Sequence, residues 1–425
     1  MNSSAPRTPD ADIWIGAAFL SLGCLFCGAT ATSLLFSPGF ALLTPRPPAV
    51  VALQHAAVLG WLLGLGFGLL YLTLSVFARS PRVGGVCSAR LHFLLFLVGV
   101  LIIVPAFRLW DLRTVAHGGA LLLAALLIGG WGLLRQMDRS QRRFLVQETF
   151  TMALSWLLVA VLTGLLVTAN RYWSFLGTDA VATIHAGAHM GFGGFFLLLL
   201  VGLCRGLFAG TGEPPAGETR IWTDLFLNGG IFIACFGLLF GFPLVPIGGT
   251  LVLVGILLFL GEVWIEYRRL DLGSQPGTRP LAVALALLLP TALLGCGTAL
   301  LPDSHPFTGR ITSLYGFLTV FGVFGLAFLA LARFGLARTE RTDARAAVGS
   351  RLAEKAAWGA YIAGLAIASV LQLSGNREGA SLGVWLAAAG ALGCAGVVGI
   401  RAAMLVWRHS RPGCLPVENL NKNTA

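Results

Sequence analysis

The chain has 425 residues, of which 56% are hydrophobic and only 11% charged. Soluble proteins carry roughly 25% charged residues, so that class is excluded. The net charge of +11 would point to nucleic acid in a soluble protein; in so apolar a chain, basic membrane loops account for it and no nucleic-acid partner is called for.

The expected architecture is all-α and polytopic: a single transmembrane domain over 1–425 with about twelve spanning helices. Residues 1–12 read as an N-terminal tail. Met1–Ala11 lacks a basic stretch followed by a small-residue cleavage site, so the first apolar segment is expected to be retained. The apolar segments run over 13–36, 50–78, 91–107, 114–134, 149–169, 181–209, 221–241, 244–265, 281–301, 311–335, 356–373 and 382–407. Cys24 and Cys27 form a C-x-x-C inside the first of them, where small packing residues explain it better than redox or zinc chemistry, which needs polar access. The stretch 337–355 reads as a basic surface loop and 409–425 as a tail. With the N-terminus inside, 23 basic residues fall on the inner side against 6 outside. That bias implies cytoplasmic termini in a bacterial inner membrane, with lipid as the surrounding partner.

The sixth segment carries His185 and His189, four apart and therefore on one helix face. Ionisable side chains in a span are costly and read as functional by default. His55, His185 and Tyr315 follow one another at intervals of 130 residues, each near the start of a glycine-rich segment. The spacing predicts three four-helix units. His55, His185, His189, His117 and His305 gather toward the outer face; His92 and His409 fall at inner ends, where interfacial placement is expected.

An i, i+4 pair of imidazoles can chelate one metal ion, so His185 and His189 are candidate metal ligands, with His117 as a third. The pair cannot supply both axial ligands of one haem, which approach from opposite faces. A haem must therefore pair His55 with His185, His189 or a residue of the tenth segment. The cofactor-binding candidates are thus His55, His185 and His189. The carboxylates Glu148, Asp224, Glu262 and Glu266 all lie near segment ends, which weakens the case for a proton-coupled transporter. The chain has neither a phosphate-binding glycine loop followed by Lys-Ser/Thr nor an H-E-x-x-H signature.

Twelve segments in three units, with Gln54-His55-Ala-Ala-Val-Leu-Gly60-Trp61 and Ile184-His185-Ala-Gly-Ala-His189-Met-Gly191-Phe192, resemble subunit I of the haem-copper oxidases and nitric oxide reductases. The strings are also similar to short relatives of that superfamily, the NnrS family and proteins like the C-type oxidase subunit I. The resemblance implies haem b or copper as cofactor, His55 as a low-spin haem ligand, and His185 or His189 at a copper-ligand position. The seventh segment lacks the copper-ligand histidines, and the tenth has Tyr315 and Phe317 where the family presents haem ligands. With those departures, the resemblance implies a haem- or metal-binding protein with a respiratory or nitric-oxide-related role, a redox or respiratory partner protein, and no oxygen reductase activity. Whether it is an enzyme stays open. The rivals are a twelve-helix secondary transporter, whose internal repeat would be two sixes, and a non-catalytic membrane assembly partner.

Overall fold

The computed structural model describes residues 10–42, 47–77, 86–138, 143–176, 180–209, 218–241, 243–269, 273, 275–301, 305, 307–339 and 348–410. Among these residues the chain is helical and contains no strand. Twelve helices are long and apolar enough to cross a bilayer: α1 (Ile13–Phe36), α2 (Pro48–Ser75), α3 (Cys87–Leu109), α4 (Leu112–Met137), α5 (Gln147–Trp173), α6 (Ala180–Gly206), α7 (Thr219–Phe240), α8 (Val245–Arg269), α9 (Thr278–Leu300), α10 (Thr308–Thr339), α11 (Leu352–Ser374) and α12 (Arg377–Trp407). Each matches an expected segment to within a few residues. In a bilayer every backbone N–H and C=O must be satisfied internally, and a helix does this within a single segment.

The polar flanks are shorter than expected. Of the two tails and the 337–355 loop, residues 1–9, 340–347 and 411–425 lie outside the described residues. The remainder is helical: Asp10 opens the first helix, the tenth continues to Thr339, and the eleventh begins at Val348. Ala337, Arg338, Arg351, Ala353, Glu354 and Lys355 in these flanks favour helix beyond the apolar span.

The helices form three consecutive units of four. Within each unit the first packs on the second and the third on the fourth. The last helix of each unit packs on the first of the next, α4 on α5, α8 on α9, and α12 back onto α1. This closes a ring around α2, α6 and α10. Those three are buried over 89, 67 and 78% of their central windows, against 22–56% for the nine others. Their middle parts are held together by aromatic rings: Phe67 and Phe195 join α2 to α6 at 6.5 Å, Phe196 and Phe324 join α6 to α10 at 5.6 Å, and Trp61 and Phe321 join α2 to α10 at 5.5 Å. The upper halves pack on outer helices instead: Pro48–His55 on α3, Ala180–His189 on α5 and α7, Thr308–Phe317 on α9 and α11.

Each inner helix also changes winding at the same place. Eight residues take the wider π form in all three: Ala56–Leu63, Met190–Leu197 and Leu318–Gly325. Such turns are rare and concentrate at functional sites. They fix a register that sequence spacing only approximates. His55, His189 and Phe317 are the residues immediately before the π segments. Gly60, Gly194 and Gly322 follow five residues later. At the first two a side chain from the preceding helix fills the space of the missing Cβ, Phe26 of α1 against Gly60 and Trp156 of α5 against Gly194; at Gly322 the nearest side chain is Leu318 of the same helix, with Leu287 of α9 in ordinary contact distance. The repeat intervals are thus 134 and 128 residues rather than 130 twice, and the counterpart of His55 is His189, not His185.

Candidate functional site

The register determines what each histidine can do. His55 places Nδ1 2.8 Å from the Val51 carbonyl oxygen. His189 repeats this, with Nδ1 2.9 Å from the His185 carbonyl oxygen. Both have backbone angles of φ −68° and ψ −35°. A carbonyl only accepts, so in each ring Nδ1 carries the proton and donates it. The neutral ring then presents the Nε2 lone pair, the form in which imidazole ligates a metal or haem iron. Among the described residues neither Nε2 has a hydrogen-bond partner.

His185 is exposed, and its backbone carbonyl serves His189. His117 is exposed on α4. No three His, Cys, Asp or Glu side chains converge to hold a metal among the described residues, so His117, His185 and His189 do not form one such cluster. His55 and His189 are thus the two histidines whose Nδ1 bond leaves Nε2 as the lone-pair nitrogen. The two rings have different neighbours. His55 lies against Phe107 of α3, with centroids 3.9 Å apart and planes at 30°. His189 faces Tyr315 of α10 at 6.5 Å and 25°. In the third unit Phe317 takes the histidine's place, is buried, and packs on Phe321. His305 accepts the Phe307 N–H at 3.3 Å through Nδ1, which accounts for it locally.

Most of the glycines near the histidines serve helix contact. A Cβ on Gly64 would meet the Gly23 backbone, on Gly66 Leu199, on Gly68 Leu20, and on Gly187 Thr163. Gly191 and Gly316 face open space.

A second repeated feature lies sixteen residues past His55, His189 and Phe317, where Tyr71, Arg205 and Arg333 each reach the third helix of their own unit. The Tyr71 hydroxyl is 3.0 Å from His92 Nδ1. Arg205 donates to Asp224 at 2.7 Å and, through Nε and Nη2, to both oxygens of Glu262 at 3.0 and 3.1 Å. Thr149 and Thr223 complete that cluster by donating to Asp224 and Glu262. Arg333 donates to both oxygens of Glu354 at 2.8 and 3.3 Å. These latches sit at the opposite end of the inner helices from the histidines. His92, expected at an interface, is instead fully buried among Phe19, Phe67 and Phe96, with its ring against Gly129 of α4. Its Nε2 has no hydrogen-bond partner among the described residues. A helix end is not an interface when neighbouring helices extend past it and cover the side chain.

The latches escaped sequence reading because a lone arginine or carboxylate near a segment end looks like a solvated flank. The signal that could have exposed them is the common sixteen-residue offset, which becomes visible once the π register is known. No protein-family model matches the chain, and no curated protein matches it significantly.

Proposed function

We propose that this chain is an integral membrane protein that binds haem (b-type) or copper through Nε2 of His55 and of His189. It acts in a respiratory or nitric-oxide-related role, resembles subunit I of the haem-copper oxidases and nitric oxide reductases, and has no oxygen reductase activity. It lies in a bacterial inner membrane with both termini cytoplasmic and exchanges electrons with a redox partner protein. The observation that carries the reading is the repeated imidazole geometry. Two histidines at one register spend Nδ1 on the carbonyl four residues earlier and leave Nε2 free. When bound, haem or copper supplies one-electron chemistry. The protein's own residues fix ring orientation and tautomer through Val51 and His185, and the surrounding apolar helices limit water access. The test is an absorption spectrum of the detergent-purified protein, oxidised and dithionite-reduced, with metal analysis of the same sample. A colourless, metal-free protein after expression with added haem and copper would refute the reading.

The Arg205 cluster favours a second reading, a secondary transporter. Asp224 and Glu262, although near the ends of their helices, are largely buried carboxylates, and buried carboxylates are what proton coupling uses. Proton uptake by reconstituted vesicles that is lost in Asp224→Asn, from a protein without haem or metal, would select it.

A further inference from the structure

His55 and His189 share register, backbone conformation and a bond from Nδ1 to the carbonyl four residues back, yet the near-parallel aromatic ring beside His55 lies far closer than the one beside His189. Phe107 lies near the C-terminal end of α3 and is part-buried against the core. Its ring meets the imidazole face at 3.9 Å between centroids with planes 30° apart. The Val51 carbonyl fixes the edge of the same imidazole at 2.8 Å. An imidazole bonded only at one edge can still swing about its side-chain torsions. A ring against its face removes that freedom before any ligand arrives, so less order must be imposed on ligation. His189 has the edge bond, but its parallel neighbour Tyr315 stands off at 6.5 Å, too far to press on the imidazole face.

We propose that Phe107 is the positioning residue of His55, clamping the imidazole against the Val51 carbonyl so that Nε2 alone is presented. This rests on the reading of His55 as a ligand. It makes the two sites unequal, with His55 preset and His189 adjustable.

The test uses the full chain in detergent, with Phe107→Leu and Phe107→Tyr compared to the parent. Hemin titration reads the His55 ligation, with His55→Ala as the blank. Phe107→Leu is expected to weaken hemin binding about threefold to tenfold and to move the absorption band of the bound haem. Phe107→Tyr, which keeps the ring, restores both. A second measurement needs no cofactor: the rate at which diethyl pyrocarbonate modifies His55, followed by peptide mass spectrometry with His189 as internal reference. Phe107→Leu uncovers one face of the imidazole and is expected to raise the His55 rate severalfold, leaving His189 unchanged. Equal His55 rates in all three proteins overturn the clamp. A parent protein that takes up no hemin defeats the ligand reading instead, and the modification rates still decide whether Phe107 holds the ring.

Discussion

His55 and His189 occupy the same place in two successive units: each is the last residue before a π segment, and each donates Nδ1 to the carbonyl four residues back. The equivalence separates His189 from its neighbour His185. His55→Ala and His189→Ala should each lower the haem or metal content of the purified protein, whereas His185→Ala and His117→Ala should leave it near the parent value. Reduced-minus-oxidised spectra with metal analysis make the comparison. Loss of the signal in His185→Ala alone would sink the assignment.

Arg205 holds two carboxylates in a largely buried site, with side-chain exposures of 11% for Arg205, 9% for Asp224 and 17% for Glu262. Removing the guanidinium takes away the hydrogen-bonded cation of both acids and leaves them the hydroxyls of Thr149 and Thr223 and the more distant charge of Arg220. Arg205→Ala should cost about 3–5 kcal/mol, the range for breaking a buried pair. Lysine should rescue it poorly, because a point charge cannot reproduce the fork on Glu262. Thermal or denaturant unfolding in detergent reads both variants.

Arg333 and Glu354 allow a cleaner separation of terms. The pair is buried, and Arg333 Nη1 has no hydrogen-bond partner among the described residues. Either single change, Arg333→Met or Glu354→Leu, should destabilise strongly. The double change should recover most of the loss, because apolar replacements of similar volume avoid the desolvation of both charges. A double-mutant cycle gives the coupling. Additive losses would mean that the two side chains do not act as a pair.

Two glycines of α12 should respond oppositely to a methyl group. A Cβ on Gly390 would run into the backbone of Tyr361 in α11, while Gly396 has nothing within 4 Å. Gly390→Ala should destabilise by about 1–3 kcal/mol through overpacking. Gly396→Ala should be neutral or gain up to about 1 kcal/mol from helix propensity. Melting temperatures of the two variants suffice to check this.

Asp111 caps α4 from the connection after α3. It accepts the Thr114 hydroxyl at 2.6 Å and the N–H groups of Arg113 and Thr114 at 3.2 Å. The Thr114 hydroxyl, then the Thr114 N–H, holds the carboxyl below its ordinary value. A depressed folded pKa means the cap is present above the unfolded value, about 4, and is lost as pH falls through the folded one. The protection of the Thr114 amide, its exchange rate relative to the intrinsic rate at the same pH, should therefore fall in acid. Asp111→Asn should flatten that pH dependence.

The sequence by itself determined the twelve helices and their limits, because a run of about twenty apolar residues has one low-energy form in a bilayer. It also determined the threefold organisation, since His55, His185 and Tyr315 fall at nearly the right intervals. Tertiary structure decided what spacing could not. The π segments shift the register by a few residues, which replaces His185 with His189 and Tyr315 with Phe317. Neighbouring helices decided that His92 is buried, that Arg205 and Arg333 meet carboxylates rather than water, and that Gly64 and Gly66 serve packing. Local periodicity reports the face of a residue along its own helix. Partners, burial and winding depend on which helix lies opposite, and that is set only when the three units close into a ring.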